Sequence, residues 1–421
     1  MKKISLLGLG LFTAMAATAQ TNVVNDAKHM LDQAKPDYAA VQKTIQPALQ
    51  DPSTANTAMP WYINGKAGFG IFDNAYMQEA LGTQLSADQK KAAGAGLLEG
   101  YNSYIKALPL DVEIDKKTGE PKLDKKTGKA KPGKLVKEMV KTMKDNYISL
   151  KTGGIYLFDV QDYSGAYDVW EMYVNLPSSS VLGDDAPKAE ADTLVGQIMY
   201  YQLLAALSSD RNAEALAKVP QIEKTGYKNI DVYVYGIEAA RRLNDSIAQL
   251  DLAKRGYAQY GTQNVSFVGQ LINEHLQHND FDGCYKLVNE AIAATPDSMA
   301  AVKSQLYDIL GVIYEQQDKS EAAIEAFDKA ISIDATQGKN YYDKARVIYN
   351  QAVKIDESMV DAPESERKAK VDPLLLDAAK LFEKAYEIDS TNLTNIPSIL
   401  YRLYYRLGAG YEEQAETWKD R

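Results

Sequence analysis

The chain has 421 residues, a formal net charge of -10 and a single cysteine, Cys284. An acidic balance of this size argues against gripping nucleic acid, because that needs clustered basic side chains to displace counterions. One cysteine excludes an intramolecular disulfide. Beyond the N-terminus no stretch approaches 18 uninterrupted apolar residues, so no membrane-spanning helix is expected.

The N-terminus reads as an export signal. Lys2 and Lys3 precede an apolar run from Ile4 to Met15, and Ala17-Thr18-Ala19 supplies the small-x-small pattern that signal peptidase accepts. A signal peptide over residues 1–19 is therefore expected, with cleavage before Gln20. No cysteine follows the apolar run, so a lipid anchor of the bacterial lipoprotein type is not expected. The mature chain would be exported and reside in the periplasm or at the cell surface.

From residue 20 to 421 the apolar periodicity is helical, and the helices come in pairs separated by polar turns. About nine pairs are expected, near 22–50, 57–108, 134–177, 189–220, 229–260, 265–295, 304–335, 338–389 and 392–420. Two insertions interrupt them. The first, about 112–134, contains two near-copies of one pattern, Asp115-Lys116-Lys117-Thr118-Gly119 and Asp124-Lys125-Lys126-Thr127-Gly128. Turn chemistry of this kind predicts a mobile hairpin or a disordered loop. The second, about 351–373, is charged and carries Pro363 and Pro373, which predicts an extended first helix followed by a loop.

The seventh pair is the clearest. Tyr307, Leu310, Gly311 and Tyr314 share one helical face. A polar break follows at Gln317-Asp318-Lys319, and Ala323, Phe327 and Ala330 then recur at helical spacing. Gly311 and Ala323 would let two helices approach closely while the aromatic rings fill the space around them. Ala378, Phe382 and Ala385 repeat the second-helix pattern further on. Gly154, Ala166 and Trp170 match another pair, and Trp61, Gly65, Tyr104 and Ala107 one more.

This constellation resembles the tetratricopeptide repeat, most clearly over 265–390, and the chain is similar to secreted bacterial proteins of that family. Ala335 departs from the pattern, standing where the family prefers Pro. The resemblance implies an all-α, right-handed superhelical solenoid with a concave inner wall lined by the first helix of each pair. Carried over by position, the wall would present Asn273, Asp308, Tyr342, Arg346, Tyr349 and Asn350 as partner-binding residues. Asp308 and Val312 stand where Lys and Asn would be needed to clamp a C-terminal carboxylate, so that ligand is not expected. The polar end of the last pair reads as a solubilising cap.

Other chemistry is weakly signalled. His275, His278 and Cys284 lie close in sequence, but the segment runs from one repeat helix through a turn into the next, and Cys284 takes a small-residue packing position. Gly94, Gly96 and Gly100 fall in a helical pattern with no preceding strand, unlike a phosphate cradle. No metal, cofactor or catalytic constellation is expected. The 28 tyrosines are the unusual feature. In doublets such as Tyr404-Tyr405, adjacent helical residues point about 100° apart, so one ring can pack while the other faces outward. The expected function is a non-enzymatic scaffold of the cell envelope, holding an unidentified partner protein or peptide in the groove. The alternative is a glycan- or nutrient-binding accessory protein at the outer membrane.

Overall fold

The computed structural model describes residues 20–419 and 421; the expected signal peptide over 1–19 lies outside them. The described chain is all-α, a solenoid of antiparallel helices, in two compact units that divide between Leu243 and Asn244. The first unit holds α1 (20–31), α2 (Tyr38–Gln50), the single turn α3 (Pro52–Ala55), α4 (Ala58–Ala80), α5 (Ala87–Ala107), α6 (Val136–Asp145), α7 (Ser149–Asp159), α8 (Tyr163–Asn175), α9 (Asp192–Ser208), α10 (Asn212–Lys224) and α11 (Asp231–Arg242). The second holds α12 (Ser246–Tyr260), α13 (Val265–Gln277), α14 (Phe281–Ala294), α15 (Ala300–Gln316), α16 (Ser320–Ile333), α17 (Gly338–Ser358), α18 (Glu364–Ile388), α19 (Ile396–Leu407) and α20 (Glu412–Lys419). The division falls inside the pair expected at 229–260. There, α11 packs on α9 and α10, and α12 packs on α13. The pair expected at 134–177 contains three helices, with α6 preceding the packed pair of α7 and α8.

One device recurs in the reversals. Gln161, Asp210, Asn244, Asn279 and Asp318 have positive φ, and each ends a first helix just before the second begins. In four of these turns the following amide donates back across the turn: Asp162 to the Leu157 carbonyl, Arg211 to Ala206, Asp280 to His275 and Lys319 to Tyr314. This is the Schellman closure of a helix C-terminus. Aspartate then caps the next helix in three of the five turns, where Asp162, Asp245 and Asp280 accept from the amides of Gly165, Ala248 and Gly283.

Helices meet over glycines. In three pairs an aromatic ring lies directly over one. Tyr104 covers Gly65, Trp170 covers Gly154 and Phe327 covers Gly311; an added Cβ would sit 2.3, 2.1 and 2.6 Å from the respective ring. Gly154 to Trp170 and Gly311 to Phe327 have the same sixteen-residue spacing. Where α4 crosses α5 the contact is backbone on backbone: a Cβ on Gly68 would lie 2.4 Å from the Gly96 carbonyl oxygen and 2.9 Å from the Gly100 nitrogen. The glycines of the 94–100 segment are thus helix-crossing residues.

Both insertions differ from expectation. The first is ordered. Its three arms meet at a closed ring of backbone bonds, in which Glu113 donates to Lys131, Lys131 to Lys122 and Lys122 to Glu113. Each arm adds one antiparallel pairing, Val112 with Pro132, Ile114 with Pro121 and Leu123 with Ala130. Asp115 and Asp124 hold the two tips by accepting from the Lys117 and Lys126 amides at 2.7 and 2.9 Å, and Gly119 and Gly128 supply the left-handed positions. At the base, Asp111 accepts from the Leu135 and Val136 amides, tying the element to the start of α6. A mobile hairpin or a disordered loop was expected from the turn chemistry; the turns are present, and side-chain and backbone hydrogen bonds join them into one element without a hydrophobic core. The second insertion begins with the expected extended first helix, but only a short turn stands where the loop was expected. The insertion lengthens α17 and α18, and Pro373 is absorbed within α18. The added turns bury Val371 and Leu375 in one cluster with Leu403 and Leu407 of α19, and Asp356 pairs with Arg367 and Arg406.

The crossing of α4 and α5 yields a paired prediction. Gly68→Ala must push two backbones apart and should lower stability by about 1–3 kcal/mol or more. Gly269, mid-helix in α13, has nothing within 4 Å of its added Cβ. Gly269→Ala should therefore gain up to about 1 kcal/mol from helix propensity. Urea unfolding followed by circular dichroism measures both signs.

Candidate functional site

The first helices of successive pairs lie side by side in the second unit, α13 against α15 and α15 against α17. They bring the sequence-predicted residues onto neighbouring helices but give them different jobs.

The α15–α17 contact is a charge network. Asp308 and Asp343 are both almost fully buried, at 4% and 2% exposure. Lys339 bridges them, 2.5 Å from Asp308 and in contact with Asp343. Arg346 makes a two-point contact with Glu315, at 2.6 and 3.1 Å, and also pairs with Asp343. The planar guanidinium fork suits such a bidentate grip. Both cations are held in the charged state by these acids, against the opposing effect of burial. Tyr342 packs edge-on against Phe382 at 5.4 Å, and its hydroxyl accepts from Asn395 at 3.0 Å. Tyr349 leans on the same apolar cluster of α17 to α19. Asp308, Tyr342, Arg346 and Tyr349 therefore spend their interactions inside the fold, while Asn350 is exposed.

The α12–α13 face is different. Asn273 is exposed and lines a cavity of about 530 Å³ with Gln249, Gln270, Glu274 and Gln277 among its polar walls and Ile247, Leu250 and Leu276 among its apolar ones. Primary amides both donate and accept, which is the chemistry that matches an extended peptide backbone. The expectation named only Asn273 here. Its polar neighbours on α13 are Gln270 and Gln277, one turn away on either side, and the adjacent Glu274, a spacing readable in the sequence.

A second cavity, of about 600 Å³, was not anticipated. It lies between α5 and α8, lined by Asn102, Asp168, Glu171, Met172, Asn175 and the serines 178–180 among others. Burial works to raise the Glu171 pKa, but hydrogen bonds from the buried Lys218 and from Gln202 hold its carboxyl below the usual range. Arg211 stacks on Tyr167 at 3.9 Å and pairs with Asp168 at 2.7 Å. These partners come from helices distant in sequence, so no local motif signals them. Neither cavity has an aromatic ring among its lining residues.

The remaining sequence candidates are structural. His275 bonds Asp280 at 2.7 Å and His278 bonds the Glu274 carbonyl at 2.9 Å, both within the α13–α14 turn. Cys284 is buried, and burial raises its thiol pKa. Among the described residues no group of three or more His, Cys, Asp and Glu is placed to hold a metal, and no helix is long and apolar enough to cross a membrane. The Tyr404-Tyr405 doublet divides as its helical angle requires, with 6% and 73% exposure.

Residues 304–337 match the family model of the tetratricopeptide repeat. The chain carries a tetratricopeptide repeat. That repeat contains Asp308, Glu315 and the Gly311–Phe327 contact. Among solved structures the chain is similar to a monomeric mutant of IFIT1 with Gppp-AAAA, at TM-score 0.40 and 14% identity over 89% of this chain and 77% of that one. It is similar to the C-terminal part of a TPR repeat-containing protein from Cytophaga hutchinsonii, at 0.39 and 13% over 63% and 91%. It is also similar to YrrB, a TPR protein with an unusual peptide-binding site, at 0.33 and 16% over 47% and 92%. No match is found among curated proteins.

The charge network predicts a pH dependence. Burial, and then the charge of Asp343, push the Asp308 pKa up to about 7, against the pull of Lys339; one of its oxygens has no hydrogen-bond partner. An ordinary unfolded aspartate titrates near ~3.9. Between these values the folded chain binds the extra proton, so Asp308 favours folding most below pH ~4 and loses that advantage as pH rises to about 7. Asp308→Asn should flatten this slope and stand higher relative to wild type at pH 8 than at pH 5. Urea midpoints of both proteins across that range provide the check.

Proposed function

We propose that this protein is an exported scaffold of the bacterial cell envelope that holds an extended segment of a partner protein against the α12–α13 face. The observation that carries the reading is the open, amide-lined cavity around Asn273. Recognition there would run through the partner's main chain, with Ile247, Leu250 and Leu276 supplying apolar contact for alternate side chains. The tetratricopeptide repeat at 304–337 supports the same reading. Its inner residues brace α15 against α17, and the neighbouring α13 is left free to bind. A glycan ligand held by ring stacking would need aromatic walls, and neither cavity supplies them. Export rests on the leader at residues 1–19, with the mature chain starting at Gln20.

A photo-crosslinking side chain at Asn273, introduced in cells, should capture one defined envelope protein. The same group at Glu290, an exposed residue of α14, should not. Gln270→Ala with Gln277→Ala should reduce the yield without lowering the melting temperature. Arg346→Ala should instead lower the melting temperature, since it leaves the buried Asp343 short of a partner. Equal capture at both positions, or capture insensitive to the amides, would refute the site. An intact N-terminal Met on the exported chain would refute the processing.

A further inference from the structure

The three-armed element at 112–133 is built to present an apolar face. Paired residues of antiparallel strands project to the same side, as do residues two apart along a strand. The three pairings and the strands joining them therefore place Val112, Ile114, Pro121, Leu123, Ala130 and Pro132 on one side. Glu113 and Lys122, at the central ring, fall on the other and pair with each other at 3.6 Å. The apolar side is open at Ile114, 48% exposed, and Leu123, 60% exposed.

The surroundings are cationic. From Val112 to Asn146 the chain has eleven lysines against six acids, a surplus of five on a molecule whose total is -10, which leaves -15 on the rest. Both free tips end in a lysine pair, Lys116-Lys117 and Lys125-Lys126. The acids at those tips, Asp115 and Asp124, are turned inward onto turn amides. Next to Pro132 a groove of about 520 Å³ runs along α6, where Val136 and Val140 lie among Lys137, Lys141 and Lys144 with Asp145, which pairs with Lys141 at 2.5 Å, and Asp185. The element keeps its shape through backbone and aspartate hydrogen bonds, so its aliphatic side chains do not collapse onto each other.

We propose that this face docks on an anionic phospholipid surface. Ile114 and Leu123 enter the interface between headgroups and acyl chains, and the tip lysines and those of α6 meet the phosphates. Aliphatic insertion and lysine attraction reinforce each other in such interfacial binding. The contact requires neither a spanning helix nor a lipid anchor. It uses none of the residues that line the Asn273 cavity.

The test is co-sedimentation of the full chain with vesicles of phosphatidylcholine alone and of phosphatidylcholine mixed with phosphatidylglycerol. Every variant carries the same N-terminus, so differences between variants report on the element. Wild type should bind the anionic vesicles and release as salt screens the lysines. Ile114→Ser with Leu123→Ser, and separately Gln at positions 116, 117, 125 and 126, should each weaken binding by roughly tenfold or more. Val360→Ser, which removes an aliphatic side chain 69% exposed in the second unit, should leave it unchanged. All three variants should melt with wild type, because none touches a buried contact. Equal binding to both vesicle types, or binding unaffected by either element variant, would overturn the proposal. So would a wild-type oligomer in the absence of vesicles that Ile114→Ser with Leu123→Ser dissolves, since the face would then belong to a second copy.

Discussion

The reversal between the two helices of a pair is the constraint on which this architecture depends. A single amphipathic helix cannot bury its own apolar stripe, so each must fold back against a neighbour within a few residues. Four times the chain does so through one left-handed residue, at Gln161, Asp210, Asn279 and Asp318, and Asn244 has the same conformation where the two units divide. That conformation costs an ordinary residue roughly 1–2 kcal/mol, an expense offset by the hydrogen bond that closes the previous helix and by the cap that opens the next. Because the turn is short, the second helix returns directly onto the first, and in two of these pairs a glycine, Gly154 or Gly311, lies under an aromatic ring of the partner helix.

That spacing explains which parts of the fold were legible in the sequence. Gly154 with Trp170 and Gly311 with Phe327 announce a helix pair because a ring over a missing Cβ needs both partners at a fixed separation. Ala378, Phe382 and Ala385 announce the second helix of another for the same reason. The left-handed positions were harder to read, because Gln, Asp and Asn there look like any polar turn. The division at Leu243–Asn244 left no mark at all: the Asn244 turn follows the same rule as its neighbours. The insertions misled for opposite reasons. At 112–133 the order comes from hydrogen bonds between residues that look like linker, and at 351–373 two prolines suggested a loop although Pro373 is accommodated inside α18.

The candidate site was legible in position but not in role. Counting along the repeat correctly placed Asp308 and Arg346 on adjacent first helices, yet counting cannot say whether a charge meets a partner or its own neighbour. Here Glu315, Lys339 and Asp343 arrive from the same two helices, and Asp343 is nearly sealed from water. An unpaired charge so placed would cost several kcal/mol, so Arg346 and Lys339 are committed to it. On α13 the residues lining the cavity are the amides Gln270, Asn273 and Gln277 with Glu274 and Leu276. They have no such obligation, and Asn273 stays exposed.

The distribution of charge follows the same logic. Acids on repeat helices find lysines and arginines one turn away or on the next helix, as Asp328 does with Lys344 and Glu238 with Arg241 and Arg242. Cations inside the repeats are thereby largely consumed. In the 112–133 element two of the four acids, Asp115 and Asp124, are drawn into its turns. Lysines placed there keep their field. A lysine-rich segment with exposed aliphatics would be a hazard on a helix pair, where it would compete with packing between repeats. Set apart on a hydrogen-bonded frame that needs no core, it can face outward without disturbing the stack that carries it.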